Sequence, residues 1–159
     1  MKSLVWLRND LRMDDNPALK HACLNSDEVH CLYLYQPDQM KLHNVASCKI
    51  EFIIENLKDL ESSLSKINVP LTVITSKCFD DCPNLIIDVI NKRSIKKVYW
   101  NNQFGFDEQR RDSAVKDVLD RNNIYSESFD DQVIYPPGTI RTMEGLSLIH
   151  ISEPTRLSV

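Results

Sequence analysis

Leu4-Val5-Trp6-Leu7-Arg8-Asn9-Asp10-Leu11-Arg12, followed by Asp14-Asp15-Asn16-Pro17-Ala18-Leu19, decides the fold. A short apolar run that ends abruptly in charge reads as a buried strand. It opens into a polar loop holding Arg8, Arg12, Asp10, Asp14 and Asp15. Asn16-Pro17 then starts a helix, with Asn as the N-cap and Pro at the first helical position. In an open α/β sheet, ligands sit outside the carboxyl ends of the strands, so this loop lies at a potential site. Arg8 and Arg12 are expected to pair with Asp10, Asp14 or Asp15 and to hold the loop.

The same alternation runs along the chain. Strands are predicted at 3–8, 29–35, 70–75, 97–101 and 123–128, each short and rich in Val, Ile, Leu or aromatics, as buried parallel strands are. A first helix spans 17–24. In a second, Ile50, Ile53, Ile54, Leu57, Leu60, Leu64 and Ile67 recur at helical spacing and make one apolar face. A third has Pro83 in its first turn and buries Leu85, Ile86, Val89 and Ile90. A fourth starts at Asp107, taken as its N-cap, and buries Ala114, Val115, Val118 and Leu119. Strand and helix in strict alternation with short connections imply an α/β fold: a Rossmann-like open five-stranded parallel sheet with helices on both faces. Trp6 and Trp100 fall in strands and read as core aromatics.

Composition narrows the function classes. The chain has 159 residues, 42% hydrophobic and 26% charged, with a net charge of -4. This suits one globular domain with a single core and argues against a nucleic-acid face on this domain alone. No apolar run approaches the ~20 residues that span a bilayer, and the start shows no signal-peptide pattern. The five cysteines read as free thiols in a reducing compartment. Cys78 and Cys82 lack the Cys/His partners of a zinc site. Glycine occurs only at 105, 138 and 145. The dinucleotide fingerprint and the P-loop are therefore both missing. No motif marks a nucleophile with its base.

Several further strings resemble one family in order along residues 3–145. The opening strand and loop resemble V-W-F-R-x-D-L-R-x-x-D-N of the DNA photolyase/cryptochrome family. His43-Asn44 precedes the long second helix, as in folate-binding photolyases. Tyr99 to Asp112 is similar to Y-x-N-x-x-[YF]-x-x-x-E-x-x-R-D. Phe129-Asp130-Asp131 and Pro136-Pro137-Gly138 are similar to F-D-D and P-P-G at the exit of the fifth strand. The likeness is greatest to folate-type cyclobutane pyrimidine dimer photolyases. It implies an N-terminal antenna-binding domain at 1–131 and the start of an interdomain linker at 132–145. The catalytic flavin (FAD), its tryptophan chain and the contact with damaged DNA belong to a later helical domain, which these residues do not include.

By the same resemblance, Glu108 accepts hydrogen bonds from the pterin of a folate antenna, methenyltetrahydrofolate, with His43 and Asp107 beside it. Folate-binding members carry Asn where Asp107 stands. Each residue also has a plain reading: Glu108 as a carboxylate favoured in a helix's first turn, Asp107 as the N-cap, His43 as a loop histidine. Arg110, Arg111 and Asp112 read as helix-face and interdomain ion pairs. Deazaflavin or flavin at the strand ends stays open as the antenna. The implied whole protein is a monomeric deoxyribodipyrimidine photo-lyase, a carbon-carbon lyase acting on damaged DNA, in the bacterial cytoplasm or, in a eukaryote, the nucleus. The fragment alone is expected not to repair DNA. A cryptochrome photoreceptor and a stand-alone ligand-binding module are the alternatives. Residues 146–156, Leu-Ser-Leu-Ile-His-Ile-Ser-Glu-Pro-Thr-Arg, resemble a translated sequencing adapter, so 146–159 is expected to be a non-native tail.

Overall fold

The computed structural model describes residues 1–135 and 137–139. The element order is β1 (Lys2–Leu7), α1 (Pro17–Leu24), β2 (Glu28–Tyr35), α2 (Pro37–Leu42), α3 (Ser47–Ser65), β3 (Leu71–Thr75), α4 (Cys82–Arg93), β4 (Lys97–Asn101), α5 (Phe106–Arg121) and β5 (Tyr125–Phe129), with a 3-10 turn at Phe79–Asp81 before α4. All five strands are parallel, in the order β3-β2-β1-β4-β5. The expected α/β sheet is therefore present. The expected tail at 146–159 lies outside the described residues. Among the described residues, none after Phe129 joins a helix or strand.

Period-two alternation assigns each strand's side chains to two separate cores. Val5 and Leu7 of β1 join Cys31, Tyr33 and Tyr99 beneath α1 and α3. Leu4 and Trp6 turn the other way, with Leu32, Leu34, Val98 and Trp100, and meet α4 and α5. Trp6 and Trp100 are core aromatics, packed edge to face with centroids 6.2 Å apart. The edge strands depart from the expectation of full burial: β3 leaves Val73 half exposed, and β5 is partly exposed along its length. Each has a neighbour on only one side.

Local chemistry marks the start of α1 and the end of α4. Asn16 Oδ1 accepts from Leu19 N at 3.1 Å, and Pro17 opens α1, as predicted. Ser94 closes α4 in the left-handed region, φ 55°. On α3 the buried stripe is Ile53, Leu57, Leu60 and Leu64. Ile54 points away and is exposed, Ile50 is half-buried, and exposed Ile67 lies past the helix end. The predicted face was thus too wide. Leu85 is only half-buried. The N-cap of α5 is Gly105, in extended conformation, so Asp107 is the second helical residue rather than the cap. The buried face of α5 is Arg111, Val115 and Leu119; Ala114 is exposed and Val118 half-buried. An arginine occupies a position in the apolar stripe.

Candidate functional site

The chain runs from β1 outward to β2 and β3, then returns to β4 on the other side of β1. This reversal makes β1/β4 the topological switch point, where open sheets place their ligands. Residues at and just past the carboxyl ends of β1 and β4 form a hydrogen-bonded polar layer, with a cavity of about 140 Å³ beside it.

Asn101, the last residue of β4, ties the layer together. Its Nδ2 donates to Asp10 Oδ2 at 2.6 Å and to Asn16 Oδ1 at 2.9 Å, and its Oδ1 accepts from Ala18 N at 3.1 Å. Asp10 Oδ1 accepts from the backbone N of Arg8 at 2.7 Å. The loop after β1 is therefore fastened to β4 and to the start of α1 by buried hydrogen bonds, which the sheltered setting strengthens. Arg8 does hold this region, but not through the expected ion pair. Its ion-pair partner is Asp112 of α5, at 3.1 Å, and it donates to the carbonyl of Asn101. Arg12 likewise binds Asp131, beyond β5, at 2.7 Å, and the backbone carbonyls of Asp14 and Asp15. Aspartates close in sequence lost to carboxylates that the sheet topology brings near.

Arg111 pairs with Asp112, as expected, but from a buried position in the apolar stripe of α5. Like Arg8 it is 6% exposed. It donates to Gln103 Oε1 at 2.9 Å and to Asp112 Oδ1 at 2.8 Å. Its guanidinium stands 4.8 Å from the Trp6 ring centroid and 4.6 Å from that of Phe79. Arg8 also stands over Trp6, at 4.6 Å. Burial lowers the pKa of Arg8 to about 10, opposed by the attraction of Asp112. Burial also pushes the thiol of Cys82 up to about 11; its Sγ lies 3.3 Å from Gln36 Nε2.

His43, Asp107 and Glu108 meet at the cavity mouth. His43 caps the carboxyl end of α2, and the two acids occupy the first turn of α5, where the helix dipole favours anions. His43 Nε2 is 3.2 Å from Asp107 Oδ2 and 2.9 Å from Gln39 Nε2, so it either donates to the acid or accepts from the amide. Its Nδ1 is 4.0 Å from Glu108 Oε1. The ring edge packs on Phe79, centroids 5.7 Å apart. Glu108 Oε2 folds back over Gly105, into the space that a β-carbon there would fill. Only glycine at 105 permits that position of the carboxylate.

His43 and Glu108 line the cavity, and Asp107 supports the rim through His43. Apolar wall comes from Tyr33, Leu34, Met40 and Phe79; the deep polar wall is Arg8, Gln36 and Arg111. The sequence reading missed Gln36, Gln39, Phe79, Gln103 and Arg111. For Arg111 a signal was there: it precedes Val115 and Leu119 by one and two helical repeats. The glutamines carry no pattern. Among the described residues, no cluster of three or more His, Cys, Asp or Glu could hold a metal, and no helix is long and apolar enough to cross a membrane.

The family model for DNA photolyase matches residues 3–156. The deoxyribodipyrimidine photo-lyase of Vibrio cholerae is 32% identical over 142 residues, which are 89% of this chain and 30% of that protein. Cryptochrome-1 of Macaca fascicularis is 36% identical over 117 residues, 73% of this chain and 19% of that protein. Among solved structures, a bacterial class III photolyase from Agrobacterium tumefaciens superposes with a TM-score of 0.71 at 24% identity, covering 91% of this chain and 29% of that one. The chain spans about 30% of the length of the curated photolyase it matches.

Proposed function

The chain belongs to the DNA photolyase family, and from that premise we propose that residues 1–131 form the antenna-binding α/β domain of a light-dependent deoxyribodipyrimidine photolyase. The observation that carries this reading is the meeting of His43, Asp107 and Glu108, 64 residues apart at the widest hydrogen-bonded pair, at the mouth of a strand-end cavity. The proposed occupant is a folate, methenyltetrahydrofolate.

The residues suit that group. Ionised carboxylates only accept hydrogen bonds, and a pterin edge presents ring and amino N–H donors. Tyr33, Leu34, Met40 and Phe79 supply an apolar wall for a flat ring. The cavity, about 140 Å³, is smaller than the roughly 300 Å³ of a complete small-molecule pocket, so it receives part of the ligand and the rest lies across the mouth. Glu108 would anchor the donor edge, Asp107 and His43 would fix the position of that edge, and the walls would exclude water. Bound there, the folate supplies absorption of light.

Repair of pyrimidine dimers with FAD is proposed for the whole protein, acting on damaged DNA as a monomer in the cytoplasm. A damaged pair costs less to unstack than an intact one, which favours the lesion. The 159-residue chain alone is expected to leave dimers unrepaired in light. The Cryptochrome-1 match favours a second reading, a photoreceptor with the same fold, but it covers 73% of the chain against 89% for the photolyase.

The test is titration of the chain with methenyltetrahydrofolate, followed by fluorescence anisotropy. Glu108→Gln keeps the side chain's shape and removes its charge. Loss of a charge-assisted hydrogen bond is expected to weaken binding roughly 10- to 100-fold. Equal affinities for the two chains would remove Glu108 from the site.

A further inference from the structure

Trp6 lies beneath two cations. The guanidinium carbons of Arg8 and Arg111 stand 4.6 and 4.8 Å from its ring centroid, and all three residues line the cavity. Arg8 and Arg111 are both 6% exposed. With its pKa lowered to about 10 by burial, Arg8 remains a cation at neutral pH. Asp112 takes N–H groups of both arginines. Hydrogen bonds use the plane of a guanidinium, so its face is left to the ring. Trp100, packed edge to face with Trp6, has no cation over its ring among the described residues and is not in the cavity wall.

A cation over an indole face is held by the ring's negative quadrupole, and it opposes the positive charge that the ring gains on losing an electron. Asp112 and Asp10 offset part of that repulsion, and burial keeps solvent and salt from screening what remains. An indole in the wall of a light-absorbing site is otherwise a hazard. The excited chromophore takes one electron from it, leaving an indole radical cation and a chromophore radical anion. Recombination then returns both to their ground states, and the excitation is lost as heat.

Building on the antenna reading, we propose that Arg8 and Arg111 guard Trp6 electrostatically, making it too poor an electron donor to quench a chromophore excited in the adjoining cavity. The two buried cations thereby protect the excitation that the site captures.

The test measures the fluorescence lifetime of methenyltetrahydrofolate bound at saturation, which separates quenching from affinity. Trp6→Phe removes the donor, Arg111→Met removes one cation at similar length, and Arg111→Lys keeps the charge. The guard predicts that W6F and R111K keep the wild-type lifetime, that R111M shortens it about twofold or more, and that the R111M/W6F double variant restores it. A longer lifetime in W6F overturns the proposal whether or not R111M folds. An unchanged lifetime in folded R111M overturns it too. If methenyltetrahydrofolate does not bind the wild-type chain, the antenna reading falls and takes the guard with it; if it binds and the lifetimes ignore the cations, the guard falls alone.

Discussion

Asp112 Oδ1 accepts from both Arg8 and Arg111, and each of those arginines is almost wholly out of water. A buried charge is tolerated only when paired, and removing one member of such a cluster leaves the rest uncompensated. Asp112→Asn keeps the shape and removes the anion. The expected cost is about 3 kcal/mol of folding stability, read as a lower urea midpoint with an unchanged m-value. A cost below ~1 kcal/mol would mean that Asp10, the other buried carboxylate next to Arg8, already balances the pair. At this scale the sequence was partly legible. Asn16 as a cap follows from short-range rules, and so does Trp6 as a core residue. The partners of Arg8 and Arg12 do not, because the separations of 104 and 119 residues are set by strand order, which local pattern leaves free.

Among the helices, α3 shows what periodicity can and cannot decide. Six of the seven apolar residues at roughly helical spacing fall in the helix, and four of them are buried. The stripe facing the sheet is narrower than the apolar composition, so Ile54 is left at 40% exposure while Leu60 is at 5%. Leu60→Ala should therefore cost about 2–5 kcal/mol through lost burial and a residual cavity, and Ile54→Ala within about 1 kcal/mol. Thermal unfolding of the two variants checks the orientation of the helix, and similar losses would show that α3 is rotated from the position described. The short α2 was missed although Gln36-Pro37-Asp38 carries a proline at the first helical position and an acid in the first turn. Its length of six residues gives periodicity too little to work on. That miss mattered, since α2 delivers Gln39 and His43 to the cavity mouth. Of the candidate site, recognisable strings named His43, Asp107 and Glu108, which the fold brings together at one cavity mouth. The walls were not legible, since Phe79 and the glutamines arrive from elements whose meeting is a tertiary fact.

Across the whole molecule, the two cores on either side of the sheet each enclose a thiol, and this shapes how stability responds to pH. Cys31 lies in one core and Cys82 in the other, both at 0% exposure. Burial raises Cys31 to about 12 and Cys82 to about 11, from an ordinary 9.0. Above pH 9 the unfolded chain has released these protons and the native chain still holds them. Stability then falls as pH rises, by about 1.4 kcal/mol per unit for each thiol, until the native values are passed. Tyr33, raised to about 12 by burial, adds to the fall above pH 10. Arg8 acts in the opposite sense. Its native pKa of about 10 lies below its ordinary 12.5, so between those values the unfolded chain binds the extra proton and stability rises. That window opens only where the thiols have already acted. From pH 7.5 to 10 the chain should therefore lose about 3 kcal/mol, seen in urea unfolding under reducing conditions. Replacing both thiols, Cys31→Ala with Cys82→Ala, should flatten the profile across this range even though the variant starts less stable. A wild-type midpoint that does not move between pH 7.5 and 10 would show that the two cores admit water or a counter-charge to their thiolates.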